Sequence, residues 1–101
     1  MARAVVTKRL AACVNIVSAP VESVYRWKGK IERAEEFLLI IKTVARRLKE
    51  LEKEITGLHS YEAPEFLVVE VGSGSKRYLQ WLTTETEFPF KRGGGPGRGR
   101  R

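Results

Sequence analysis

The segment EFLLIIKT constrains this chain more than any other, because residues 37–41 are apolar without interruption. On a β-strand Phe37, Leu39 and Ile41 share one face while Leu38 and Ile40 share the other. A strand that is apolar on both faces is covered on both faces. With 101 residues the chain can build one modest core. Its own helices can meet one face of this strand, and the other face requires cover that so short a chain does not obviously supply. A domain of this size is also only marginally stable by itself, so the two-faced strand predicts an oligomer.

The helices and further strands follow from periodicity. Val44, Leu48, Leu51, Ile55 and Leu58 recur at spacings of four, three, four and three, the stripe of one helix face. Thr43 is placed to cap that helix, Gly57 to help end it, and Arg46 and Glu50 to sit four apart on its wet side. Upstream, ACVNIV and SVYRWKGKIE are extended, β-branched and aromatic, with Pro20 marking a bulge and Gly29 a tight reversal. They predict a long hairpin of residues 12–28 against 31–43. FLVVEV, residues 66–71, reads as a further strand, and GSGSKRYLQWL turns into a short helix carrying Tyr78, Leu79, Trp81 and Leu82. At the front, ARAVVTKRL has helical spacing but no starting cap, as in the second half of a helix. The expected class is α+β, in the order helix, strand, strand, helix, strand, short helix. One strand ahead of the first helix would complete the βαββαβ pattern of a ferredoxin-like sheet.

Composition excludes several function classes. There is no apolar run of membrane-spanning length and no charged-then-apolar secretory signal at the start, so the expected setting is the cytoplasm with no membrane partner. The single cysteine, Cys13, allows neither an intrachain disulfide nor a cysteine-only zinc site in one copy. The net charge is +7, and residues 91–101 carry five positive and no negative charges; subtracting five leaves +2 for residues 1–90. Basicity therefore belongs to the end of the chain. Residues 89–101 are expected to form a disordered basic Gly/Arg tail, either incidental or a weak, salt-sensitive contact with nucleic acid, without interleaved aromatics to stack on bases. An enzyme is not expected: the chain has no aspartate and one histidine, and GSGS at residues 72–75 reads as a flexible link, not a phosphate loop.

The candidate site residues are few. His59, followed by Tyr61 and Glu62, pairs a borderline nitrogen ligand with a hard carboxylate, a combination suited to copper or zinc; a surface histidine after a helix is the plainer reading. Cys13 is a small buried hydrophobe or a thiolate, and Asn15, two residues on, shares its face. Tyr25 and Trp27 share a strand face and, like Trp81, read first as packing aromatics. Lys42 ends the apolar strand, where its ammonium could hold an anion or a carboxylate such as that of Glu62.

RLAACVNIV, VYRWKGKIE, LLIIKT, LHSYEAPEF and YLQWL stand in an order and at spacings that resemble the CutA-type divalent-cation tolerance family, over roughly residues 3–83. The resemblance implies a ferredoxin-like domain, residues 1–88, lacking the family's first strand and part of its first helix. It implies a homotrimer with the hairpins packed around the three-fold axis. It implies a divalent metal ion, copper foremost, at a cleft between subunits. His59 and Glu62 are then the first ligands, with Cys13 as a thiolate beside them and Asn15, Tyr25, Trp27, Lys42, Tyr61 and Trp81 as cleft residues. Ser60 departs from the proline that is usual in the family's histidine block. A second reading is a small-molecule sensor resembling the nitrogen-regulatory PII proteins, in which Tyr25, Arg26 and Lys42 would matter more than His59 and Cys13.

Overall fold

A two-residue reversal organises the computed structural model, which describes residues 1–58 and 65–87. Lys28 and Gly29 take φ of 52° and 81°, the left-handed values that let a tight hairpin turn follow the twist of its strands. Glycine adopts this without steric cost, so the reversal falls at WKGKI. The turn joins β1, Cys13–Trp27, to β2, Lys30–Lys42. They pair antiparallel from Trp27 opposite Lys30 to Cys13 opposite Lys42, with one register shift between Val17 and Val21. Pro20 lies within that shift and has no N–H to give to a ladder. The expected hairpin and bulge are both present.

The helical stripe is present too, with a different start. A 3-10 turn, Ala45–Arg47, leads into α2, Leu48–Leu58. Leu51 and Ile55, 2% and 6% exposed, pack with Val5 of α1, Ala2–Thr7, and with Leu10 and Ala11. Val14, Ile41 and Phe66 lean on this small core, so it sits at one end of the hairpin. α1 has no side-chain cap at Met1. Thr43 is not the cap of the following helix: its hydroxyl donates to the Leu10 carbonyl at 2.7 Å, tying the end of β2 to the α1–β1 connection. Arg46 and Glu50 are both exposed, on the wet side that their spacing predicts. Arg47 is the buried arginine, and its Nη1 meets Glu50 Oε1 at 2.9 Å.

The expected strand at residues 66–71 is not formed. Leu67, Val69 and Val71 are 78%, 87% and 72% exposed, and no residue of this segment belongs to a strand. Strand conformation is held by ladder hydrogen bonds, and among the described residues the sheet has only β1 and β2, neither of which pairs with this segment. Composition favoured a strand, but without ladder partners among the described strands the segment stays irregular. The fold is thus α+β, an antiparallel ribbon rooted in helices. The chain ends its described part with α3, Lys76–Glu85, capped by the Ser75 hydroxyl, which accepts from the Tyr78 N–H at 3.2 Å. No described helix is long and apolar enough to cross a membrane.

Beyond the core the ribbon runs out alone, giving the molecule a length of 54 Å against widths of 27 and 22 Å. A two-stranded ribbon is marginal in water without further cover. On one face of its root, Val14 and Ile41 touch the core, while Ile16 and Phe37 farther along remain 56% and 62% exposed. On the other face Leu38 and Ile40 are 51% and 49% exposed, with Val17 opposite Leu38 at 38%. The apolar run of residues 37–41 is therefore uncovered on one face and half covered on the other.

Candidate functional site

The strand register sorts the predicted site residues into two groups. Cys13 begins β1 directly opposite Lys42, the last residue of β2, and both are half-buried. The Lys42 carbonyl accepts from the Ala12 N–H at 2.9 Å, which fixes this pair at the root of the ribbon. Asn15 follows on the same face as Cys13, opposite Ile40, and is exposed. At the tip, Tyr25 stands opposite Glu32 and Trp27 opposite Lys30, with the two residues 42% and 43% exposed. The Lys28 ammonium lies over the Trp27 ring at 5.9 Å from its centre, a cation–π contact at the turn.

Root and tip are far apart in one copy. Twelve residues of strand separate Cys13 from Tyr25, and at about 3.3 Å per residue this is about 40 Å. One chain therefore does not bring Tyr25 or Trp27 to Cys13 and Lys42. Trp81 lies on α3, its ring centre 5.3 Å from that of Tyr78. His59, Tyr61 and Glu62 lie outside the described residues, as does the basic segment 89–101. Among the described residues no three His, Cys, Asp or Glu side chains cluster as a metal site.

A set of arginines escaped the sequence reading. Arg9, of positive φ, donates from Nη1 to the Glu85 carbonyl at 3.2 Å and meets Glu85 Oε1 at 3.4 Å. Arg46 reaches the Thr83 carbonyl at 3.5 Å, and Arg47 Nε donates to the Thr86 carbonyl at 2.7 Å. All three converge on the C-terminal end of α3, where a helix presents unsatisfied carbonyls and partial negative charge. The signal was available in the sequence. Two arginines at the start of a helix oppose that helix's own dipole, which marks them as serving another element.

Comparison with known proteins gives a consistent result. Residues 1–85 match the family described as CutA1 divalent ion tolerance protein. The divalent-cation tolerance protein CutA of Thermus thermophilus is 40% identical over 85% of this chain and 82% of its own length. The chloroplastic protein CutA of Arabidopsis thaliana and human protein CutA are 43% and 45% identical, and the chain spans about half of each, 47% and 48%. Among solved structures, the Thermus thermophilus divalent cation tolerance protein superposes with a TM-score of 0.82 at 40% identity, covering 85% of this chain and 82% of that one. The PII-like protein CutA from Nostoc gives 0.78 at 36% identity, covering 86% and 84%. The chain belongs to the CutA1 divalent ion tolerance family.

Proposed function

We propose that this chain is a subunit of a homotrimer that binds a divalent cation, copper foremost, at a cleft between copies, and that it acts by binding and not by catalysis. The observation that carries the reading is the separation of root and tip, about 40 Å along β1, together with the exposed Leu38, Ile40 and Phe37. Packing further copies against the ribbon covers the two-faced strand and is the way the tip residues Tyr25 and Trp27 can reach a root carrying Cys13, Asn15 and Lys42. Assembly and site formation are then one event. The family's description speaks of divalent ion tolerance, which supports a cation as the ligand.

In this reading His59 supplies an imidazole nitrogen, Glu62 a carboxylate and Cys13 a thiolate. That mixed donor set suits a borderline-soft ion such as copper or zinc better than magnesium or calcium. Tyr61, Tyr25, Trp27 and Trp81 wall the cleft and restrict water, while Lys42 beside Cys13 holds a carboxylate or an anion. When bound, the ion supplies a positive charge that cross-links copies, and so binding favours the assembled state. A cytoplasmic setting is part of the proposal; the relatives' names include a chloroplastic and a periplasmic protein. The second reading, a PII-like small-molecule sensor, is favoured by the PII-like CutA of Nostoc and by Lys42 at the ribbon root. In that case an anionic ligand takes the cleft through Tyr25, Arg26 and Lys42.

Calorimetric titration of the purified protein with copper, zinc and a nucleotide separates the two. Saturable copper binding with no nucleotide heat supports the metal reading. Saturable nucleotide binding with no metal heat supports the sensor.

A further inference from the structure

Residues 66–71, FLVVEV, have the composition of a strand and pair with no described strand. Leu67, Val69 and Val71 are more exposed than any other large apolar residue among those described. Val68 between them is less so, at 56%, and Phe66 leans on the core. That alternation is the one an extended segment gives when one face lies toward the body of the protein and the other toward water. Among the described residues no hydrogen bond involves the backbone of this segment, so its N–H and C=O groups are open to a ladder. The segment is β-branched and apolar, has no proline and carries one charge, Glu70, the composition that favours pairing between chains.

We infer that residues 66–71 are a docking edge for the same segment of a second copy, the two running antiparallel about a two-fold axis at Val69. A row of ladder donors and acceptors is satisfied by another extended backbone, and not by a helix or a lipid surface. The sequence favours its own copy as that backbone. In this register Val69 faces its own counterpart, Leu67 faces Val71 and Glu70 faces Val68, so no like charges meet. Phe66 faces Gly72, where open space lets the ring keep its place on the core. Parallel pairing in register sets Glu70 beside Glu70, and like charges side by side destabilise a sheet. The antiparallel contact is isologous and joins copies two by two. It uses neither face of the ribbon, so it adds to the proposed trimer and does not depend on it.

The test is sedimentation velocity of the full chain over a concentration series, because a two-stranded contact of this length is weak. Val69 is 87% exposed, so Val69→Lys leaves the fold intact. It removes an apolar pair and sets two ammonium groups face to face, and should shift the rise of mass with concentration about tenfold upward relative to the parent. Val69→Glu should do the same, and an equal mixture of the two variants should restore the parent's association. Leu67→Lys mixed with Val71→Glu should associate better than either alone, as antiparallel pairing requires, whereas Leu67→Lys mixed with Leu67→Glu should not. Hydrogen exchange of residues 67–71 should slow with concentration in the parent and stay fast in Val69→Lys. A parent whose mass equals that of Val69→Lys at every concentration, or mixtures that do not restore association, overturns the inference. The mass that Val69→Lys retains reports assembly through the ribbon, so the two contacts can fail separately.

Discussion

Replacing Leu38 by glutamate separates a lone ribbon from an assembled one. Leu38 is 51% exposed on the ribbon face away from the helices, beside Ile40 at 49% and opposite Val17 at 38%. Full burial of a large aliphatic side chain is worth about 1.5–3 kcal/mol, so covering the remaining half of Leu38 contributes about 1 kcal/mol, and covering the three together about 3 kcal/mol per copy. If the face stays in water, the substitution costs within about 0.5 kcal/mol, the usual surface range. If another copy covers it, Leu38→Glu forfeits the apolar gain and buries a carboxylate without a partner, at a further cost of several kcal/mol. That is comparable with the whole stability of a small domain, about 5–15 kcal/mol. Sedimentation velocity at micromolar concentration, with far-UV circular dichroism, reads the difference. The expected outcome is a trimer for the parent and a lighter or unfolded species for Leu38→Glu. A well-folded parent monomer, or an unchanged trimer for the variant, refutes the reasoning.

Three further outcomes follow from the same structure. Leu51→Ala, at a side chain 2% exposed in a core of few residues, should lower unfolding free energy by about 2–5 kcal/mol in urea melts of the whole protein. Gly29→Val places a β-branched residue at φ 81° and should cost about 1–2 kcal/mol, visible as a lowered midpoint with the sheet signal retained below it. Removing residues 91–101, which carry five positive charges, should leave thermal stability and copper affinity unchanged while weakening retention on a polyanion column at low salt.

The ribbon was the most legible element, because its determinants are local. Lys28–Gly29 sets the turn, Pro20 interrupts the ladder, and alternation carries the strands between them. The stripe from Leu48 to Leu58 was legible for the same reason, since its period alone defines the buried face of α2. Residues 66–71 misled because strand propensity measures fit to a neighbouring strand, and no described strand pairs with them. Thr43 misled as well: a capping threonine accepts from helix N–H groups, but here Val44 holds the cap position and the Thr43 hydroxyl is turned to donate to the Leu10 carbonyl. The site was legible as a set of residue types and not as a place. Cys13 and Lys42 proved to be cross-strand partners, while Tyr25 and Trp27 sit at the opposite end of the same ribbon. That separation is a property of hairpin length, and it turns a question about one chain into a question about several.

Copper quenching of Trp27 fluorescence, in a Trp81→Phe background, tests the shared cleft most directly. Within one copy Trp27 lies more than about 40 Å along the strand from Cys13, too far for a bound ion at the root to quench it. If copies pack so that one tip meets another root, copper should quench Trp27 saturably with the same midpoint as the calorimetric isotherm. The response should be lost in His59→Ala, and it should weaken as pH falls through about 6.5, where a free histidine gains the proton that blocks a metal. Saturable copper binding with Trp27 emission unchanged would contradict a site built between copies, and quenching that survives His59→Ala would remove His59 from it.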